Sequence, residues 1–238
     1  MDRSADSSGN GGQIPRARGC RPSARFPFLI RPVYIIRRSN QEEGPAVGAQ
    51  PKHRDAIVAA AAMLFRRRGF AATGINEIAA VSGAPKGSLY HYFPGGKDEI
   101  GEAAVRFAGD RVTATLERLA AETPSAAAMI KAYGGLLQGW MAQSRFRDGC
   151  PITTTLLETV PESAELTAAG RAAFDAWTGI VAKALLRDGF TRSDARKLSV
   201  LAISALEGAL TLTRVRGDGQ AIADATDMLA KTMKAPAA

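Results

Sequence analysis

The sequence predicts an all-α protein, and two observations carry that prediction. Apolar residues recur at helical spacing in segment after segment from residue 52 to the C-terminus. No alternating apolar and polar run bounded by turn residues occurs after residue 97, so no strand is expected there. With 238 residues, 46% of them hydrophobic, the chain can form one sizeable core or two small ones.

Residues 1–50 differ from the rest because they show no sustained apolar periodicity. They hold eight arginines, with Gly and Pro at irregular intervals. Such a segment does not bury enough apolar surface to offset the entropy cost of ordering it. We interpret residues 1–50 as a disordered Arg-rich arm, and we expect residues 1–46 to be dispensable for folding and specific binding. A mature chain that begins near Val47 is the alternative.

The net charge is concentrated in the first part of the chain. Of the +8 total, +7 lies within residues 1–100, and the remaining residues are nearly balanced. A concentration of positive charge favours a polyanionic partner, and phosphate is the commonest candidate.

Two helices are predicted at the start of the periodic region. The first begins near Lys52, carries Ile57 and Phe65 on its apolar face, and ends at Gly69. The second runs from about Ile75 to Val81, and we expect Thr73 or Gly74 to be its N-cap. A Ser-Gly turn follows it.

The third helix, from Pro85 to Phe93, carries the pattern most typical of a binding surface. Pro85 suits the first helical position. If Leu89 points into the core, then at 100° per residue Phe93 lies on the same side. The opposite face and its flanks present residues suited to contact with DNA: Lys86, Gly87, Ser88, Tyr90, His91 and Tyr92. Three short helices with this turn predict a helix-turn-helix domain over residues 51–98.

Longer helices are predicted over residues 99–238. The first ends before Pro124, and the next reaches about Arg147. A short helix then extends to about Glu158, and a long one closes at Asp188-Gly189. Two more follow, over the runs 198–210 and 222–233. We interpret residues 99–238 as one helical domain.

Several runs in the predicted helix-turn-helix closely resemble the DNA-binding domain of the tetracycline-repressor (TetR) family of bacterial regulators. The runs are Gly69–Ala79, Gly83–Phe93 and Gly96-Lys97, and Gly149-Cys150-Pro151-Ile152 is similar to the branch that contains the lincomycin-resistance repressor. The resemblance implies a homodimer that binds double-stranded DNA and has its dimer contact and small-molecule pocket in the C-terminal domain. It implies base contacts from Lys86 and Gly87, and phosphate contacts from Thr73, Tyr90, His91, Tyr92 and Lys97.

One stripe of apolar residues in the C-terminal domain is typical of either a ligand pocket or a plain core. The candidate lining residues for a flat apolar or aromatic inducer are Tyr133, Leu137, Trp140, Met141, Phe174 and Trp177. For the dimer contact we expect Leu198, Leu201, Leu206 and the last helix, with Gly208 and Ala209 allowing close approach.

Other functions are less well supported by the residues. Cys150, between Gly149 and Pro151, is an alternative redox sensor if its thiol pKa is lowered. An enzyme would need His, Cys or paired carboxylates in a cleft, and a helical scaffold would leave the face of the third helix unexplained. Cys20 and Cys150 stand 130 residues apart without a CxxC motif, and His53 and His91 are the only histidines, so we predict no four-ligand zinc site and expect neither metal nor cofactor. We find no signal peptide or membrane span, and a cytoplasmic regulator is the resulting expectation.

Overall fold

The computed structural model describes residues 52–234, so the predicted Arg-rich arm lies outside the described residues. Within this range the chain forms nine α-helices and no strands. In chain order they are α1 Lys52–Arg68, α2 Ile75–Ser82, α3 Lys86–Tyr92, α4 Lys97–Glu122, α5 Ala126–Gln143, α6 Thr153–Thr159, α7 Ala164–Arg187, α8 Arg192–Arg216 and α9 Gln220–Thr232. The predicted all-α class is confirmed.

The first hydrophobic core joins α1, α2 and α3 to the start of α4. Its largest buried side chains are Ile57, Phe65, Ile78, Leu89 and Phe93. Ile100 and Ala104 of α4 belong to the same core. The first two turns of α4 are therefore part of the N-terminal helical unit, and the rest of this 26-residue helix continues into the second core.

The second core is formed by α4–α9. The middle of α4 lies close to α7, because a Cβ placed on Gly109 would be 3.0 Å from the Cβ of Ala173. α7 and α8 form a long antiparallel pair joined by a short turn in which Gly189 has a φ of +89°. The last helix, α9, packs on α5 and α8 and contributes Ile222 and Leu229 to the core.

Gly74, one of the two predicted candidates, is the N-cap of α2. Two other helix ends differ from the predicted ends. Pro85 is the N-cap of α3, with extended backbone (φ −57°, ψ 142°), and not its first helical residue. α5 ends at Gln143, before the predicted Arg147, because Arg145 and Phe146 adopt positive φ angles of 54° and 59° that a helix does not accommodate.

In the described part of the chain, α8 is the one helix long and apolar enough to cross a membrane. Its apolar residues include Ala202, Leu206 and Leu210, which are buried in the second core. Core helices satisfy the same criteria of length and composition, so α8 is weak evidence for a membrane span.

Candidate functional site

The short helix α3 is anchored by two residues and exposes the rest of its surface. Leu89 and Phe93 are buried in the first core. Lys86, Gly87 and His91 are exposed, and Tyr90 exposes 61% of its surface. Ser88 and Tyr92 are half-buried, and the rings of His91 and Tyr92 meet edge to face at 5.1 Å. The predicted DNA-facing residues therefore form one basic and aromatic surface.

Two other predicted DNA contacts, Thr73 and Lys97, stabilise the turn that precedes α2. Thr73 is fully buried, and its hydroxyl donates to the carbonyl oxygen of Gly69 at 2.8 Å. Its side chain therefore holds the turn and does not point to solvent. The Lys97 ammonium lies 4.5 Å from the centroid of the Phe70 ring and donates to the Ala71 carbonyl at 3.2 Å. The Lys97 ammonium is thereby held beside the turn that precedes α2.

Arg54 is a further candidate DNA contact, which no pattern in the sequence predicts. This exposed α1 residue places its guanidinium carbon 5.3 Å from the centroid of the Phe93 ring, at the end of α3. A cation stacked on this ring extends the basic surface of α3. No spacing rule pairs residue 54 with residue 93, and only the fold brings them together.

The predicted ligand-lining residues form two separate ring contacts. Tyr133 and Trp140 meet edge to face with centroids 6.4 Å apart, and Phe174 and Trp177 do so at 5.2 Å. Trp177 is buried, and its indole N–H donates to the Gly109 carbonyl at 3.3 Å. Leu137 and Met141 are buried in the same core, whereas Trp140 is 39% exposed. Phe174 is half-buried, so Trp140 is the most exposed aromatic residue of this set.

Two grooves open on the surface of α7, and the second of them is shared with α8. One, of about 550 Å³, is lined by Pro161, Ala164, Thr167, Ala168, Arg171, Ala172 and Asp175. The other, of about 220 Å³, is lined by Asp175, Thr178, Gly179, Ala182, Leu186, Arg192, Ala195, Arg196, Ser199 and Val200. Neither groove is lined by a predicted ligand-binding residue.

The Cys150 thiol lies beside a partly buried carboxylate, Glu207, that the sequence analysis did not single out. The Thr153 hydroxyl donates to Glu207 Oε2 at 2.8 Å, and Cys150 also hydrogen-bonds to this carboxylate. Burial, with a smaller contribution from the Glu207 charge, raises the pKa of the Cys150 thiol. Burial also raises the pKa of Glu207 and of the neighbouring Tyr133 phenol. The alternative of a redox sensor with a lowered thiol pKa is therefore not supported, because desolvation raises the pKa more than the hydrogen bonds with Thr153 and Ile152 lower it.

An apolar stripe remains exposed on α8. Val200, Leu201, Leu212 and Val215 are exposed and fall within about 120° of one another on the helix. Gly208 lies within this stripe, and nothing lies within 4 Å of a Cβ placed on it. The prediction of Leu206 and Ala209 as dimer contacts is wrong, because both side chains are buried in the core of their own chain. Leu198, another predicted contact, packs against the same core.

Within residues 52–234, no group of three or more His, Cys, Asp or Glu side chains is arranged to hold a metal ion.

Two family descriptions match this chain, each over a different range of residues. Residues 57–104 match the family described as bacterial regulatory proteins, tetR family. Residues 126–228 match the C-terminal domain described as transcriptional regulator LmrA/YxaF-like. The two matches cover the helix-turn-helix and most of the second core.

Curated relatives match over most of their length. An HTH-type transcriptional regulator of Mycobacterium tuberculosis is 38% identical over 170 residues, which are 69% of this chain and 86% of the relative. YxaF of Bacillus subtilis is 32% identical over 165 residues, with the same two coverages of 69% and 86%. LmrA of Bacillus subtilis is 30% identical over 160 residues, 67% of this chain and 85% of that protein.

Solved structures share the fold. A TetR transcriptional regulator from Chloroflexus aurantiacus superposes with a TM-score of 0.64 at 28% identity, covering 76% of this chain and 93% of that one. A TetR transcriptional regulator from Legionella pneumophila gives a TM-score of 0.69 at 20% identity and covers 76% and 97%. The nine helices, the exposed surface of α3 and the matches to both domains lead to one conclusion: the chain belongs to the TetR family of transcriptional regulators and has an LmrA/YxaF-like C-terminal domain.

Proposed function

We propose that this regulator binds an inverted-repeat operator as a homodimer and that a small apolar or aromatic inducer releases it. The observation that carries the proposal is the surface of α3, where Lys86, Gly87, Tyr90 and His91 are exposed around a helix anchored by Leu89. An ordinary solvated helix favours Glu and Lys, whereas Lys, Tyr and His together suit phosphates and base edges. Ser88, Tyr92, Lys97 and Arg54 complete the proposed contact surface.

The second part of the proposal is a dimer formed through α8. Its exposed stripe of Val200, Leu201, Leu212 and Val215 is apolar, and Gly208 lets a partner helix approach closely. In such a dimer we expect the two α3 helices to meet successive major grooves. The half-site centres should then lie about 10 base pairs apart, or at a multiple of that spacing.

The third part concerns the inducer, which we propose binds beside Trp140 and Tyr133. Their edge-to-face contact joins a buried ring to a partly exposed one, and this arrangement leaves an aromatic surface that a flat ligand can cover. Leu137 and Met141 of the same helix, with Phe174 and Trp177 of α7, complete the proposed lining. A ligand releases DNA only by the amount that it prefers the state in which the two α3 helices are misplaced.

Selection from random duplexes tests the DNA-binding proposal directly. The purified protein is expected to enrich a palindromic sequence, and footprinting should show two protected half-sites. A single asymmetric protected site would contradict the dimeric arrangement.

Tryptophan fluorescence tests the inducer site, because the chain has only two tryptophans. In a Trp177→Phe variant, Trp140 is the sole reporter. Aromatic compounds that bind as proposed should quench this variant and release it from the selected operator. Quenching without release would refute the coupling, and a panel that quenches neither the variant nor the wild type would favour the plain core.

The proposed function as a DNA-binding regulator implies no catalytic activity, no cofactor and a cytoplasmic location. The family and the curated relatives are transcriptional regulators, which supports these expectations. Turnover screening of the purified protein would test the first of them.

A further inference from the structure

The C-terminal turn of α1 is held from outside the N-terminal unit. The backbone N–H of Gly149 donates to the carbonyl oxygen of Arg66 at 3.1 Å. The guanidinium of Arg214, on α8, donates to the carbonyl oxygen of Arg67 at 2.9 Å. The last carbonyls of a helix have no partner within the helix, so these donors satisfy acceptors that α1 cannot satisfy itself.

Asp148 adds two charged contacts to this hold. One carboxylate oxygen lies 2.8 Å from Arg66 Nη2, and the other lies 3.2 Å from Arg67 Nε. The residue is only 8% exposed. A buried carboxylate with one arginine on each oxygen fixes the direction of both side chains more firmly than an exposed pair would.

These contacts are fixed in turn to α8. Thr153, which starts α6, donates to Glu207 of α8, and Glu207 lies two helical turns before Arg214 on nearly the same side of α8. The segment from Asp148 to Thr153 and the Arg214 side chain therefore rest on one helix. We call the contacts of Asp148, Gly149 and Arg214 with the end of α1 the joint. Space within it is limited, because a Cβ on Gly149 would lie 2.9 Å from Thr154 Cγ2 and 3.3 Å from Arg214 Nη1.

We infer that Asp148 and Arg214 are positioning residues for DNA binding, which set the angle at which α3 is presented. α1 and α3 share one close-packed core through Phe65, Leu89 and Phe93, so a displaced α1 would carry α3 with it. The joint thus forms a connection between α8 and the reading helix that is independent of α4. The inference rests on the proposed dimeric binding to an inverted repeat.

Half-site spacing provides the readout that a purely structural role would not move. The operator selected by the wild type is prepared in its natural spacing and with the half-sites one or two base pairs closer or farther apart. If the joint fixes the two α3 helices, Asp148→Asn and Arg214→Ala should bind the natural spacing about tenfold more weakly. They should also discriminate less between spacings than the wild type does.

Matched controls separate the joint from loss of charge. Arg216→Ala removes the same charge from the same end of α8, and Asp110→Asn removes an exposed carboxylate of α4; neither side chain forms a hydrogen bond or an ion pair with α1. Both controls should retain the spacing preference of the wild type. Arg214→Lys, which keeps the charge but lacks the planar guanidinium, should recover part of the preference lost in Arg214→Ala.

The outcomes distinguish the inference from the proposed function. A wild type that prefers one spacing, with Arg214→Ala and Asp148→Asn showing the same preference, would overturn the inference and leave the proposed function intact. A wild type that binds all spacings equally would overturn the proposed dimeric arrangement, and the inference with it. If Asp148→Asn fails to fold, Arg214→Ala decides alone, because Arg214 is exposed and its truncation leaves no cavity.

Discussion

The indole N–H of Trp177 donates to the backbone carbonyl of Gly109 at 3.3 Å, across the contact between α7 and α4. The approach is possible because Gly109 has no side chain where Ala173 lies. Trp177 therefore fastens the middle of α4, the helix that links the two cores, to the long helix α7.

This contact predicts different costs for the two tryptophans. Trp177→Ala should lower the free energy of unfolding by about 3–5 kcal/mol, because it leaves a large cavity. Trp177→Phe should cost less, since the ring volume is largely kept and one hydrogen bond is lost. Trp140→Ala should cost under about 1 kcal/mol, because Trp140 is partly exposed. Urea denaturation followed by circular dichroism measures all three, and equal costs at the two positions would contradict the assignment.

Glu207 predicts a pH dependence of stability. Because burial raises its pKa in the folded chain, the native state binds the proton more tightly than the unfolded state does. The resulting stabilisation is fully present below the unfolded pKa of about 4.3 and is lost as the pH rises through the native pKa. Glu207→Gln should remove this loss, so the wild type should become less stable relative to the variant as the pH rises. Exposed Glu117→Gln is the control, and an unchanged difference between wild type and Glu207→Gln across pH would refute the prediction.

Two substitutions on α3 test the DNA surface. Lys86→Ala and Tyr90→Phe should each weaken operator binding while the dimer stays intact, because each loses a contact from an exposed side chain. Because Lys86 brings a positive charge against the DNA in both halves of the dimer, its loss should also reduce the slope of log affinity against log salt, by up to about 2. Titrations at several salt concentrations measure the slope, with exposed Lys131→Ala on α5 as the control. Unchanged affinity and slope in both variants would remove α3 as the reading helix.

The exposed stripe on α8 predicts a defined dimer interface. Leu201→Glu and Val215→Glu should each shift the protein to monomer at micromolar concentration, because a charge buried in an apolar contact has no partner there. Leu157→Glu is a matched control, since Leu157 is equally apolar and 79% exposed but lies on α6. Light scattering reports the mass. Dimers that persist in both α8 variants would place the interface elsewhere.

The sequence was sufficient to predict the helices and the orientation of α3. Leu89 and Phe93 are four residues apart, about one helical turn, and more polar residues lie between them. One apolar residue per turn indicates which side of the helix faces the core. Apolar periodicity was not sufficient to predict which apolar face of α8 is buried. That helix has one apolar face in its own core, through Leu206, and another that is exposed, through Leu201 and Val215, and spacing alone does not say which is which.

Contacts between distant charges were also beyond the reach of sequence patterns. Asp148 pairs with arginines about eighty residues earlier, and Glu207 meets Thr153 over a separation of 54 residues. Such pairs depend on how α1, α6 and α8 pack. The three consecutive arginines of α1 are all paired: Arg66 and Arg67 with Asp148, and Arg68 with Glu77.

The joint at the end of α1 accepts two of its hydrogen bonds at main-chain carbonyls. Every helix presents such carbonyls, whatever its side chains. The N-terminal helical unit of another family member should therefore be able to accept the same two hydrogen bonds from Gly149 and Arg214 without redesign. Arg66 and Arg67, the partners of Asp148, would have to accompany the exchange, as would the residues of α4 that pack in both cores. A hybrid built in this way would keep the α4–α9 core of this protein and present a different α3 surface to DNA.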